Sequence, residues 1–425
     1  MSGLRPLAFF GTLRLGVHGA KGKEAPKNRA GLSTSRQWTK VGGMPIKSVA
    51  APDVTGRHPR GWLRRKQKIR GMMAGPRRRP AGGRNALHGR EQGENGPPSA
   101  ARQRPKFLIT IDTEEDNAWA RQAEQRTENA KALPRFQEFC EAFGLKPTYL
   151  TNHPMACSRA FRELGRDVLQ RGTGEIGMHL HAWNNPPEYA LTGNDARHHP
   201  YLMEYPEGVI RDKAAYLTDL LGETFGIRPV SHRAGRWGLN GPYARILAEL
   251  EYETDCSVTP HVSWREHMGD PRGRGGSDYT AYPEHAYYLD LEDISCPGSS
   301  PLLEVPMTVV QCTNRLATSL RARFAPESLT GRAVNKFWPE VTWFRPNRCN
   351  LKQMKAILRR ALRDGREYVE FMLHSSELMA GGSPKFPDEA TIARLYDDMG
   401  ELFSAASGSF EGATLAEYRK ACPAP

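Results

Sequence analysis

Four short strand-like runs in this chain end in residues that can hold a cation or move a proton. ITIDTEED (109–116) closes on Asp112, Glu114, Glu115 and Asp116, and EIGMHLHAW (175–183) carries His179 and His181. VSHRAGRWG (230–238) carries His232, Arg233 and Arg236, and VEFMLHSSEL (369–378) ends on His374 and Glu377. In an extended strand residues two apart project to the same side, so His179 and His181 share a face, as do Asp112 and Glu114. Two imidazoles and a carboxylate from a neighbouring strand make a three-ligand site with positions left open for water and substrate. A second carboxylate beside the ligating one can take a proton from the attacking water. Taken singly each cluster is ordinary, since TEED also reads as an acidic turn and the histidines as a half-exposed pair beside Trp183. Four polar strand ends in one chain are not.

The segments between these runs decide whether the four ends can meet. Apolar stretches at 107–112, 147–152, 175–183, 229–235, 253–258, 302–310 and 367–378 read as strands. Helical patterns alternate with them, over residues up to 143 and then at 159–170, 209–225, 242–250, 351–363 and 388–404. That rhythm specifies an α/β fold with a parallel sheet or barrel, in which the carboxyl ends of the strands converge on one face. Two insertions, 184–206 and 259–286, are too long for simple connections and are candidates to shape a substrate groove.

The net charge of +13 is misleading as a guide to function, because it is not spread along the chain. Residues 1–104 hold 23 Lys and Arg against four acidic residues, a net +19, which leaves −6 for 105–425. A basic folded body is excluded, and no nucleic-acid partner is expected for it. Residues 1–104 are rich in Gly, Pro, Arg and Ser with little apolar periodicity and are expected to be a disordered basic tail. Translation starting at Met44, Met72 or Met73 would shorten it. Seven widely spaced cysteines without a CxxC pair suit reduced thiols. No run is long and apolar enough for a membrane span and the N-terminus has no secretory core, so a cytoplasmic protein is expected.

Over 105–418 the chain resembles the polysaccharide deacetylases of the NodB-homology type, carbohydrate esterase family four. The resemblance implies an irregular (β/α)7-type barrel for 105–425. ITIDTEED matches the family's first motif, which makes Asp112 the catalytic base and Glu114 a metal ligand. EIGMHLHAW matches the second through His179, but Trp183 stands where the usual second histidine falls. His181, on the same strand face, is its replacement, in the manner of an HxH subgroup. SHRAGRWG resembles the third motif and gives Arg233 the task of orienting the catalytic carboxylate, with Arg236 as the substitute. VEFMLHSSEL makes His374 the general acid for the leaving amine, and Asp255 stands where the family braces that acid. The remaining histidines, His232 among them, are expected at the surface or in substrate loops.

The implied activity is a metal-dependent hydrolase that removes N-acetyl or related acyl groups from a carbohydrate, in building surface polysaccharide or lipopolysaccharide. Zinc suits two histidines and one carboxylate, with cobalt or nickel able to replace it. An alternative ligand set is His179 with Glu114 and Asp116, leaving His181 to the substrate. Alternative functions are hydrolysis of a different small amide on the same barrel, or a carbohydrate-binding pseudoenzyme using Trp183, Trp237, Trp264, Tyr287 and Tyr288. Retention of Asp112 and His374 argues against the last.

Overall fold

The computed structural model describes residues 104–118, 125–267, 269, 275–311, 315–325, 328–337 and 339–425. The expected disordered tail, 1–104, lies outside these residues apart from Arg104. The strands in chain order are β1 (Lys106–Thr113), β2 (Pro147–Thr151), β3 (Glu175–Leu180), β4 (Ser231–Ala234), β5 (Thr254–Asp255) and β6 (Tyr287–Tyr288), followed by β7 (Leu303–Glu304), β8 (Val309–Gln311), β9 (Val341–Trp343), β10 (Tyr368–His374) and β11 (Glu411–Ala413).

One curled sheet runs β10-β1-β2-β3-β4-β5-β7-β6, all neighbours parallel except β6 with β7. β10 pairs with β1 from Lys106 to Asp112, so β2 and β11 divide the other edge of β1, β11 at 106–108 and β2 at 109–113. β1 is buried along both faces beyond Lys106, as its continuous Phe107, Leu108, Ile109 and Ile111 require. The expected helices are present, and His153–Cys157, Asp195–His198, Arg315–Arg323, Leu329–Phe337 and Leu415–Ala421 form where none was expected. Arg159–Arg171 buries Phe161, Leu164, Gly165 and Val168, one face of a 3.6-residue period. Glu389–Ser407 begins one residue after the expected Asp388, because the Asp388 carboxylate caps it by accepting the Thr391 N–H.

The run 302–310, expected as one strand, divides into β7 and β8. Pro306 has no N–H to offer a ladder, and the chain leaves the sheet at 305–308. This segment closes the barrel by single contacts rather than by pairing. The Tyr368 hydroxyl donates to the Pro306 carbonyl at 2.7 Å, and the Glu370 N–H donates to Thr308 Oγ1 at 2.8 Å. At the amino end of the strands the helix Leu415–Ala421 plugs the interior, where Leu415 and Tyr418 pack on Leu108, Leu150 and Val305. Its first N–H groups donate to Thr148 Oγ1 and the Glu175 carboxylate. Only the carboxyl ends of the strands therefore remain for a site.

Candidate metal centre

Glu114, His179 and His181 bring one ligand atom each within 4.8 Å of one another, and all three are buried. His179 Nε2 and His181 Nε2 are 3.0 Å apart, and Glu114 Oε2 stands 3.0 Å from His181 Nε2 and 3.6 Å from His179 Nε2. Tetrahedral ligands at zinc distances would be separated by about 3.3 Å, so two nitrogens and an oxygen already stand at the spacing a small divalent cation needs. His179 Nδ1 donates to the Arg233 carbonyl at 3.0 Å, since a carbonyl can only accept. That bond fixes the ring and turns the bare Nε2 to the centre.

His181 is held by packing. Its ring lies 4.3 Å from that of Trp183, and its buried Nδ1 has no hydrogen-bond partner among the described residues. On the other side is Gly235, where a Cβ would come within 2.4 Å of that Nδ1 and 2.6 Å of the Leu180 carbonyl. Only a glycine lets this ring in. Trp183 thus supports the His181 imidazole. Glu114 follows the last residue of β1 and is clamped by Ser375, whose Oγ accepts the Glu114 N–H and donates to the Glu114 carbonyl, both at 3.1 Å.

Asp112 sits beside this triad. Arg233 NH1 donates to Asp112 Oδ1 at 2.5 Å, while NH2 bonds Thr110 and the Glu370 carboxylate and Nε bonds the Cys256 carbonyl. Burial would raise the Asp112 carboxyl, but Arg233, His179 and His374 outweigh it and hold the group below its ordinary value. Glu114 is lowered in the same way against its burial, by His374, His179 and His181. Burial lowers His179, and the carboxylates of Asp112 and Glu114 overcome it, so the net shift is upward. Glu370 is pushed up to about 7, chiefly by burial, with Arg233 only partly offsetting it.

His374 Nε2 lies 3.8 Å from Asp112 Oδ2 and 3.6 Å from Glu114 Oε1. Arg345 donates to its Nδ1 at 2.8 Å and to Glu377 at 2.9 Å. A guanidinium only donates, so the neutral ring carries its proton on Nε2, facing the site. Burial would raise Glu377, yet Arg345, His374 and Lys385 hold it well below the ordinary range.

The structure brings together Asp112, Glu114, His179, His181, Arg233 and His374. It corrects three other expectations. Asp255 does not brace His374; it bonds His232 Nδ1 at 2.5 Å on the outer side of the sheet. His232 is accordingly fully buried rather than a surface or loop residue. Asp116 is not at the centre either, because its carboxylate caps the turn that begins at Glu128, accepting the N–H groups of Glu128 and Asn129 at 3.0 and 2.9 Å. Glu115 is likewise engaged by Asn152 and Asn184. Arg236 has φ 56° and lies 4.8 Å over the Tyr201 ring, leaving Asp112 to Arg233. Sequence reasoning missed Gly235, Arg345, Glu370 and Ser375. Of these Glu370 left a trace, an acid inside an otherwise apolar strand.

No protein-family model matches the chain, and no curated protein matches it. Among solved structures it is similar to a protein assigned as a polysaccharide deacetylase from Mycobacterium smegmatis, at 17% identity over 75% of this chain and 90% of that one, with a TM-score of 0.41. It is also similar to the Xyl-CE4 domain of a multidomain xylanase from the hindgut metagenome of Trinervitermes trinervoides, at 9% identity over 76% and 93% of the two chains, with a TM-score of 0.35. A third is a CE4 family pseudoenzyme from Bacillus anthracis, at 10% identity over 75% and 66%, with a TM-score of 0.35.

Proposed function

We propose that the protein is a metal-dependent hydrolase of the polysaccharide deacetylase type, removing an N-acetyl or related acyl group from a carbohydrate in the synthesis of surface polysaccharide or lipopolysaccharide. The observation that carries this reading is the meeting of Glu114, His179 and His181 with a lowered carboxylate, Asp112, and a histidine that turns Nε2–H to the same point. Motifs and geometry support the same assignment of roles.

A divalent ion held by Glu114, His179 and His181, with zinc the best suited, would supply Lewis acidity toward the acyl carbonyl and the incoming water. Asp112, ionised by Arg233, accepts the proton of the attacking water. His374 in its imidazolium form gives the Nε2 proton to the leaving amine nitrogen and is left as the neutral ring, with the Glu377 carboxylate 3.5 Å from Nδ1 to balance the charge of the acid form. Arg233 positions Asp112 and does not react.

The test is metal analysis of the purified protein, combined with acetate release from N-acetylated sugars and their nucleotide-linked forms. About one equivalent of divalent ion is expected, with acetate release that stops on chelation and returns when zinc is added. Absence of bound ion together with sugar binding but no acetate release would contradict hydrolysis and leave a carbohydrate-binding pseudoenzyme.

A further inference from the structure

Charge in the folded region is unevenly placed. Residues 315–366 hold 13 Lys and Arg against three acidic residues, a net +10, although 105–425 as a whole carries −6. Of the 13, Arg345 is engaged with His374 and Glu377, Lys355 with Glu401, Arg360 with Asp364 and Arg366 with Glu284. The basic stretch opens with two helices, Arg315–Arg323 and Leu329–Phe337, which pack on one another between β8 and β9. It closes with the helix Leu351–Arg363, whose Arg360 donates to the Gln311 carbonyl at the end of β8.

This surface is also apolar. Leu316 is 76% exposed, Leu329 86%, Phe324 39% and Leu362 41%. Those four are more than half of the large hydrophobic side chains that stand exposed among the described residues. Arg323, Arg332, Lys352 and Arg359 are exposed on the same elements. A face meant for water alone gains nothing from leucines so far out. Leucine and phenylalanine set among Lys and Arg is the composition that enters the boundary of headgroups and acyl chains in an anionic bilayer.

Position joins this surface to the candidate centre. The β8–β9 ribbon that carries the helical pair ends in Trp343, whose ring lies 5.9 Å from Trp237 and 6.2 Å from Trp264. Trp237 in turn lies 4.8 Å from the Arg233 guanidinium that holds Asp112. We propose that the helical pair Arg315–Arg323 and Leu329–Phe337 is a docking surface for an anionic lipid bilayer, which sets the mouth of the site against saccharides anchored in that bilayer. Docking stands on the surface alone, whereas the lipid-anchored substrate rests on the hydrolase reading above. No described helix is long and apolar enough to cross a membrane, so the contact is interfacial.

The experiment compares the full chain with its Leu316→Asp/Leu329→Asp double variant on phosphatidylcholine vesicles with and without phosphatidylglycerol, measuring flotation and hydrogen exchange. The basic residues before 105 will draw both proteins to anionic vesicles, so the readout is the difference between them and where exchange slows. The parent chain is expected to show slowed exchange within 315–337 on anionic vesicles only. The variant should lose that protection and bind at least about tenfold more weakly, roughly 1.4 kcal/mol, with unchanged circular dichroism. Equal vesicle affinity of the two proteins, protection confined to residues before 105, or equal binding to neutral vesicles would overturn docking. A concentration-dependent dimer that the variant abolishes would overturn it in favour of a second copy. Vesicle docking without acetate release from any sugar, soluble or lipid-linked, would uphold docking and sink the hydrolase reading instead.

Discussion

Two buried networks in this barrel are built from nearly the same parts and do different work. Inside the barrel Asp112 and Glu370 share Arg233 with the Thr110 hydroxyl. On the outer side of the sheet Asp255 accepts from His232 and Ser257, His232 meets the Tyr243 hydroxyl, and Glu304 accepts the Val258 N–H. In each, burial favours a protonated acid and the pair divides the burden, the aspartate lowered and the glutamate raised. The difference is access. Asp112 Oδ2 is 3.8 Å from His374 at the open end of the strands, whereas Asp255, His232 and Glu304 are sealed. A carboxylate beside a histidine is thus no sign of catalysis until a substrate can reach it.

The largest effect expected from breaking this contrast is at Asp112. Asp112→Asn should lower turnover about a hundred- to ten-thousand-fold while the protein keeps its ion, as rate and metal content together would show. Turnover near that of the parent would put Asp112 in the same structural class as Asp255. The mirror experiment is Asp255→Ala, which leaves His232 Nδ1 and both Ser257 donors without an acceptor. It should destabilise the fold by roughly 3–9 kcal/mol, at about 1–3 kcal/mol for each of the three stranded groups, with the folded fraction still active. Lost turnover at an unchanged melting temperature would give the sealed network a part in the reaction.

Gly235→Ala should act on the open network without touching a ligand. The added methyl drives into the His181 ring, and affinity for a divalent ion should fall about tenfold or more. Unchanged affinity would mean that His181 does not need its present position. A further effect concerns pH. Glu304 keeps in the folded protein a proton that the unfolded chain releases above its ordinary value of 4.5. Its folded value is raised, so the stability it contributes is present at low pH and is lost as pH rises through that folded value. Glu304→Gln should therefore gain on the parent in unfolding free energy as the pH rises above about 5, by at most roughly 1.4 kcal/mol per pH unit. A constant difference across that rise would show that the pair holds no proton.

The regular half of the fold was legible because local and global signals agree there. β1, β2 and the helices 159–171 and 207–225 announce themselves by apolar period, and the polar ends of β1, β3, β4 and β10 mark the face where strands finish. From residue 254 to 343 the strands shrink to two or three residues and the seam is closed by Tyr368 and Thr308 instead of a ladder. No periodicity can reveal that. Asp255 was misread because a motif position says nothing about which side of a two-residue strand its side chain takes, and it takes the side away from His374. Arg345 lies in WFRPN with no pattern around it, and its value comes wholly from reaching His374 across 29 residues of sequence.

Most depends on His181 as the second imidazole ligand. The most direct measurement is metal content after dialysis of His179→Ala, His181→Ala and Asp116→Ala, each first loaded with zinc. With Nε2 of both histidines 3.0 Å apart and Asp116 occupied in capping the turn at Glu128, the two histidine variants should lose the ion about equally and Asp116→Ala should keep it. A full equivalent retained by His181→Ala, with the ion lost from Asp116→Ala, would contradict the two-histidine centre.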